Sequence, residues 1–264
     1  MKSKKNEGKI LLINDFLSSG NIGGSLCKDV LNFYSFDIDF VPTALISNKF
    51  SLKPIEIFDS SDFLKNTLDV YKKQNRKYDA VFVGFVLNFE QAKIICNFIK
   101  ENEIFMVLDP IMGDSGKIYK GLDKNIVEIY KYMADFAHII IPNLTEARLL
   151  TDNKFKNAHQ IVDYYENLGK KFIITSVKEK DRYFILTKDE IYIEEEYKYL
   201  DKNFGGSGDL FDSIFLAHFL KNRDFKLAIK NTRDMIANIL DMQIKLDDKA
   251  NDIKINEILK NYRK

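Results

Sequence analysis

A chain of 264 residues with 45% hydrophobic residues can bury one sizeable core, and a single α/β domain of this length is ordinary. Its 40 Lys and Arg against 39 Asp and Glu leave a net charge of +1, which gives no reason to expect nucleic acid or an anionic membrane surface as a main partner. No apolar run reaches the length of a membrane span, the N-terminal stretch is polar, and Cys27 and Cys96 offer neither a disulfide framework nor metal-ligand spacing; a cytoplasmic protein with two small buried thiols is expected.

In chain order, short apolar runs rich in β-formers occur at 9–13, 40–46, 79–84, 104–108, 138–141 and 172–175. Their hydrophobicity is continuous rather than alternating, which suits strands covered on both faces of a parallel sheet. Between them, 61–74, 89–101, 124–134 and 158–168 carry helical spacing. The runs at 183–187 and 191–195, separated by Lys188-Asp189-Glu190, predict an antiparallel edge hairpin. Helices follow at 209–221 and 225–245, and the polar tail from Asp247 is either a last helix or frayed. The alternation predicts an α/β fold: a doubly wound, mostly parallel sheet flanked by helices in three layers, as one domain over 1–264.

Polar residues follow five of these six runs: Asn14-Asp15, Ser47-Asn48, Asp109-Pro110, Pro142-Asn143 and Thr175-Ser176. Any strand must end in turn residues. Five such ends in succession, two of them acidic, point instead to a ligand site at the carboxyl edge of the sheet.

Gly205-Gly206-Ser207-Gly208-Asp209 runs directly into a helix whose apolar positions include Leu210, Phe211, Ile214 and Phe215. Glycines before a helix let its free N–H groups approach an anion, and the helix dipole stabilises the charge. Asp209 is either a simple cap or a base beside that anion hole. The second cluster, Asp109-Pro110-Ile111-Met112-Gly113-Asp114, places two carboxylates around a turn. They could hold Mg²⁺ beside nucleotide phosphates, or form no more than a Gly/Asp-rich turn. The P-loop and the protein-kinase motifs are absent, and Gly20-Asn21-Ile22-Gly23-Gly24 lacks the spacing of a dinucleotide-binding loop. His138, His159 and His218 are expected to be structural.

Asp109 to Tyr119 resembles the Asp-Pro-Val-Met-Gly-Asp-x-Gly-x-x-Tyr stretch of the pyridoxal and pyridoxamine kinases of the ribokinase-like superfamily. Pro142-Asn143-Leu144-Thr145-Glu146 is similar to their Pro-Asn-x-x-Glu motif, and Gly206-Ser207-Gly208-Asp209-Leu210-Phe211 to their anion hole and base. Ile13-Asn14-Asp15, Pro42-Thr43-Ala44 with Ser47, and Gly84-Phe85 with Glu90-Gln91 continue the likeness in order. The resemblance implies ATP-dependent phosphorylation of the 5′-hydroxymethyl of a B6 vitamer by a Mg²⁺-dependent homodimer. Asp209 would be the base, and Gly206, Ser207 and Gly208 the anion hole. Asp109, Asp114 and Glu146 would organise the metal. Asp109, Tyr119, Asn143, Glu146, Thr175 and Ser176 would lie on the ATP side, with Asp15, Ser47 and Gly84 on the substrate side. Asp15 stands where many relatives place a serine facing the pyridine ring, and a carboxylate there would favour a protonated ring nitrogen.

Two positions depart from the pattern. A His-Thr stretch that covers the vitamin in relatives reads Lys49-Phe50-Ser51-Leu52, and an aromatic hydroxyl is missing at Phe85. Hydroxymethylpyrimidine kinase and a non-catalytic nucleotide- or vitamin-binding relative are the alternatives.

Overall fold

The computed structural model describes residues 6–50, 52, 54–200, 204–247 and 249–262. In chain order its elements are β1 (Lys9–Leu17), α1 (Gly24–Phe33), β2 (Asp37–Ile46), β3 (Ile57–Asp59), α2 (Ser61–Lys73), β4 (Ala80–Val83), α3 (Phe89–Asn102) and β5 (Met106–Leu108). There follow β6 (Gly113–Asp114), β7 (Lys117–Ile118), α4 (Ile126–Ala134), β8 (Ile139–Ile140), α5 (Leu144–Leu150), α6 (Ala158–Asn167), β9 (Lys171–Phe172) and β10 (Ile174–Glu179). The last are β11 (Arg182–Asp189), β12 (Ile191–Glu196), α7 (Ser207–Asn222), α8 (Phe225–Leu246) and α9 (Ile255–Tyr262).

The main sheet has the order β3-β2-β1-β4-β5-β8-β9, parallel throughout except that β3 runs against β2. Successive residues of its central strands enter two different cores. Leu11, Ile13, Val81, Val83, Met106 and Leu108 pack with α2, α3, α4 and α6. Ile10, Leu12, Ala80, Phe82 and Val107 pack with α1, α7 and α8. A strand sealed on both faces has no polar side, which is why these runs lack alternation. Each of these buried Leu, Ile, Val, Phe and Met side chains contributes roughly 1.5–3 kcal/mol. The three-layer expectation is met, and no helix among the described residues is long and apolar enough to cross a membrane.

The predicted hairpin is antiparallel, but it does not simply edge the main sheet: β10, β11 and β12 form a sheet of their own. The run predicted at 172–175 divides around Ile173. Phe172 stays beside β8, whereas Ile174 finds an antiparallel partner in Leu186 of β11. Helices α1 and α5, strand β3 and the small hairpin of β6 and β7 were not expected, and the tail from Asp247 does contain a helix, α9.

From β1 the chain first lays β2 on one side and later β4 on the other, so the strand order switches at β1, where an open α/β sheet leaves a crevice. Pairing with β4 stops at Ile13 opposite Val83, so β1 outruns its neighbour from Asn14 onward. Gly84 fills the gap: a Cβ there would lie 2.6 Å from three side-chain atoms of Asn14. Gly84→Ala is therefore expected to cost about 1–3 kcal/mol through overpacking. It should appear as a lower urea midpoint at unchanged m-value, and an unshifted midpoint would show that the Asn14 amide yields freely.

Candidate active site

The register of β1 on β2 slips between Asn14, opposite Pro42, and Phe16, opposite Leu45. Because β1 is covered on both faces, the neighbours Asn14 and Asp15 at this bulge are both buried, at 0% and 6% exposure. Oδ1 of Asn14 accepts the N–H groups of Asp15 (2.9 Å) and Phe85 (2.7 Å). Two donors at one oxygen fix the amide's orientation, leaving Nδ2 to face Cys27 Sγ (3.8 Å) and the Asp209 carboxylate.

Gly206 caps α7, Ser207 begins it and Asp209 lies in its first turn. First-turn N–H groups have no helical acceptors, and the dipole makes them a seat for an anion. Ser207 and Gly208 are exposed, and a Cβ on Gly208 would meet nothing within 4 Å, so the helix start is open. Asp209 Oδ2 accepts the Gly23 N–H (3.0 Å), and Cys27 Sγ lies 3.7 Å from Oδ1. The Asp15 carboxyl faces the Gly24 N–H. Helix α1 has no acid in its own first turn, and the Asp209 and Asp15 carboxyl groups accept N–H groups at its start instead. Gly23, with φ 63°, is required here, because a Cβ would collide with the Asp15 carboxylate.

Asp109 closes β5 and is buried, whereas Asp114 on β6 is partly exposed and accepts the Ser115 hydroxyl at 3.3 Å. Glu146 and Asn143 form a capping box at the start of α5. Oε1 of Glu146 also accepts the Met112 (3.1 Å) and Gly113 (3.4 Å) N–H groups, and Asn143 Nδ2 donates to the Gly113 carbonyl (2.8 Å). These two side chains thus bind the loop after β5 to α5. Tyr119 is influenced by Glu146, Asp114, Asp109 and Asp209. Thr175 and Ser176 border the start of α5, where the Ser176 hydroxyl accepts the Leu144 N–H at 3.4 Å. Ser47 is exposed, and its hydroxyl accepts the Glu56 N–H at 2.8 Å, bracing the 47–56 loop. The departures from the family pattern touch one another and the site: the Phe50 ring lies 5.6 Å from Phe85, and Lys49 pairs with Asp252, which bridges to Gly205. Ser51 lies outside the described residues.

A further acid belongs to this group. Asp212, one turn beyond Asp209, is buried and hydrogen-bonded to Asp109. Its signal in the sequence is an acid three residues after Asp209 on a helix otherwise apolar toward the core. No Lys, Arg or His is among the main influences on Asp15, Asp109, Glu146, Asp209 or Asp212. Burial, more than any other cause, lifts all five above the usual carboxylate range, and their mutual repulsion adds to this for Asp15, Asp109, Glu146 and Asp212. Among the described residues, no three His, Cys, Asp or Glu side chains are grouped to cage a metal ion, so Asp109, Asp114 and Glu146 do not form a closed ligand set.

Burial, followed by repulsion from Asp209, pushes the Asp15 carboxyl up to about 8. In the unfolded chain it would titrate near 4. Between those values only the folded form holds the proton, so the ligand-free protein loses stability as pH rises through that window. The melting temperature is expected to fall from pH 6 to pH 9, and Asp15→Asn, neutral throughout, should flatten the fall; an identical slope in the variant would overturn the assignment.

Known proteins supply an independent reading of this geometry. A Schizosaccharomyces pombe protein provisionally named a pyridoxal kinase is 28% identical over 246 residues, covering 82% of this chain and 69% of that protein. The pyridoxal kinase of Dictyostelium discoideum is 24% identical, covering 89% and 86%. Among solved structures, a Bacteroides thetaiotaomicron protein provisionally named a phosphomethylpyrimidine kinase, in a form with pyridoxal, superposes with a TM-score of 0.88 at 23% identity over 97% of this chain and 96% of that one. The pyridoxal kinase of Leishmania donovani with ADP and pyridoxamine gives 0.80 at 20% identity over 90% and 87%. The expected likeness to pyridoxal kinases and the ribokinase-like fold are thereby borne out. The phosphomethylpyrimidine kinase family model matches residues 42–254, well over half of the chain, and the chain belongs to that family of kinases.

Proposed function

We propose that this chain, as one domain over 1–264, uses ATP to phosphorylate the 5′-hydroxymethyl of a B6 vitamer (pyridoxal, pyridoxamine or pyridoxine) in salvage of pyridoxal 5′-phosphate. The observation that carries the reading is the placement of Asp209. It sits in the first turn of α7 beside an open anion-binding start, with its carboxylate held by Gly23 and near Asp109 and Tyr119. The relatives described with ADP, pyridoxamine and pyridoxal supply the substrate class.

Asp209 takes the proton of the attacking hydroxyl. Burial raises its proton affinity, while the Gly23 N–H, the Cys27 thiol and the Asn14 amide hold its anionic form in place. The N–H groups of Gly206, Ser207 and Gly208 receive the charge of the moving phosphoryl. Asp15, Ser47 and Gly84 belong to the vitamer side, with Asp15 favouring a protonated ring. Asp109, Tyr119, Asn143, Glu146, Thr175 and Ser176 belong to the nucleotide side, Asn143 and Glu146 by shaping its backbone. A cluster of buried acids without basic partners fits a divalent cation. Mg²⁺ organised by Asp109, Asp114 and Glu146 would offset the charge of the phosphate oxygens. We place the protein in the cytoplasm, in keeping with two buried free thiols, and carry the homodimer over from the resemblance alone.

The second reading is hydroxymethylpyrimidine as substrate, and the family's description, phosphomethylpyrimidine kinase, supports a pyrimidine of this class. ADP release measured with each B6 vitamer and with hydroxymethylpyrimidine separates the two. A B6 vitamer is expected to be turned over best, with Asp209→Asn lowering kcat by about 10²–10⁴. No ADP release with any of these alcohols, or full activity in the variant, would overturn the proposal.

A further inference from the structure

We propose that Asp212, together with Asp109, forms a two-carboxylate site for a divalent cation, Mg²⁺ or Mn²⁺, that is present before any nucleotide arrives. Asp209 and Asp212 stand three residues apart on α7, on the same side of the helix, so the second acid projects beside the first. Asp212 is 1% exposed and Asp109 is 7% exposed, and their carboxyl groups are in hydrogen-bond contact. Oδ1 of Asp212 is sealed from solvent and has no hydrogen-bond partner among the described residues.

Packing does not account for this residue. Its neighbours Leu210, Phe211, Ile214 and Phe215 fill the core, and the adjacent Ser213 donates its hydroxyl to the Asp209 carbonyl (2.7 Å). Asp109 is hydrogen-bonded to Asp212, and the charges that act on it most are those of Asp209 and Glu146, all acids. A buried carboxylate pair needs either a shared proton or a positive ion between its oxygens. Hard oxygen donors suit Mg²⁺, which takes one or two carboxylates and fills its remaining positions with water and phosphate oxygens. The inference rests on the phosphotransfer reading for the purpose of the cation, whereas its test is independent of turnover.

Mn²⁺ titration of the nucleotide-free protein, followed by electron paramagnetic resonance, reads the site directly. Wild type is expected to bind one ion per chain, and Asp212→Asn to bind it at least about tenfold more weakly. Asp209→Asn, which should slow ADP release, is expected to keep the ion. Mg²⁺ should raise the melting temperature of wild type but not of Asp212→Asn. Without metal the variant should melt at or above the wild-type temperature, which separates loss of the site from loss of the fold. Equal Mn²⁺ affinity in wild type and Asp212→Asn, or no binding by wild type, would overturn the proposal. Mn²⁺ binding without any ADP release would leave the cation site standing and count against the kinase reading alone.

Discussion

The buried amide of Asn14 joins the parts on which the site depends. Its oxygen receives N–H groups from β1 and from the segment just past β4, and its nitrogen faces Cys27 on α1 and Asp209 on α7. A fully buried amide with satisfied hydrogen bonds is rigid because every alternative orientation would strand a polar group. The Asn14 amide thereby ties the acid on α7 to the sheet, beside the Gly23 N–H and the Cys27 thiol, and two glycines, Gly23 and Gly84, let that arrangement close.

Around this joint the chain gathers acids and almost no compensation for them. The positive ends of α1 and α7 are the main fixed source of positive potential near Asp15 and Asp209. Such a surface repels a bare triphosphate. It becomes receptive only when a cation screens the acids, or when protons do. The helix starts then offer directional N–H groups, and the acids position water and ion. Under the proposed reaction, affinity for the nucleotide is thus conditional on that screening.

Much of this was legible in the sequence. Runs such as Leu11 to Ile13 and Val81 to Val83 are apolar at every position because both faces are covered, so the layers followed from composition of the strands alone. Asp209 and the glycines before it announced a helix start, and Asp109 announced a strand end. What escaped depended on contacts distant in sequence. Asp212 looks like a stray surface acid until β5 is laid against α7. Asp15 was read as lying past a strand that ended at Ile13, whereas β1 runs through it to Leu17, because nothing local marks a bulge. Asn143 and Glu146 matched a motif, but that they close a capping box and bind the Met112–Gly113 backbone is visible only in three dimensions. Helix α1 was hidden by its short length and by the glycines that precede it.

The Glu146 carboxylate reaches three backbone N–H groups in two separate segments. It works as a rivet: the strand exit at 109–113 and the beginning of α5 behave as one piece of scaffold. A graft, deletion or loop exchange that takes one segment without the other would leave cut ends on both sides, so any recombination of this region between homologues should respect 109–146 as a single block.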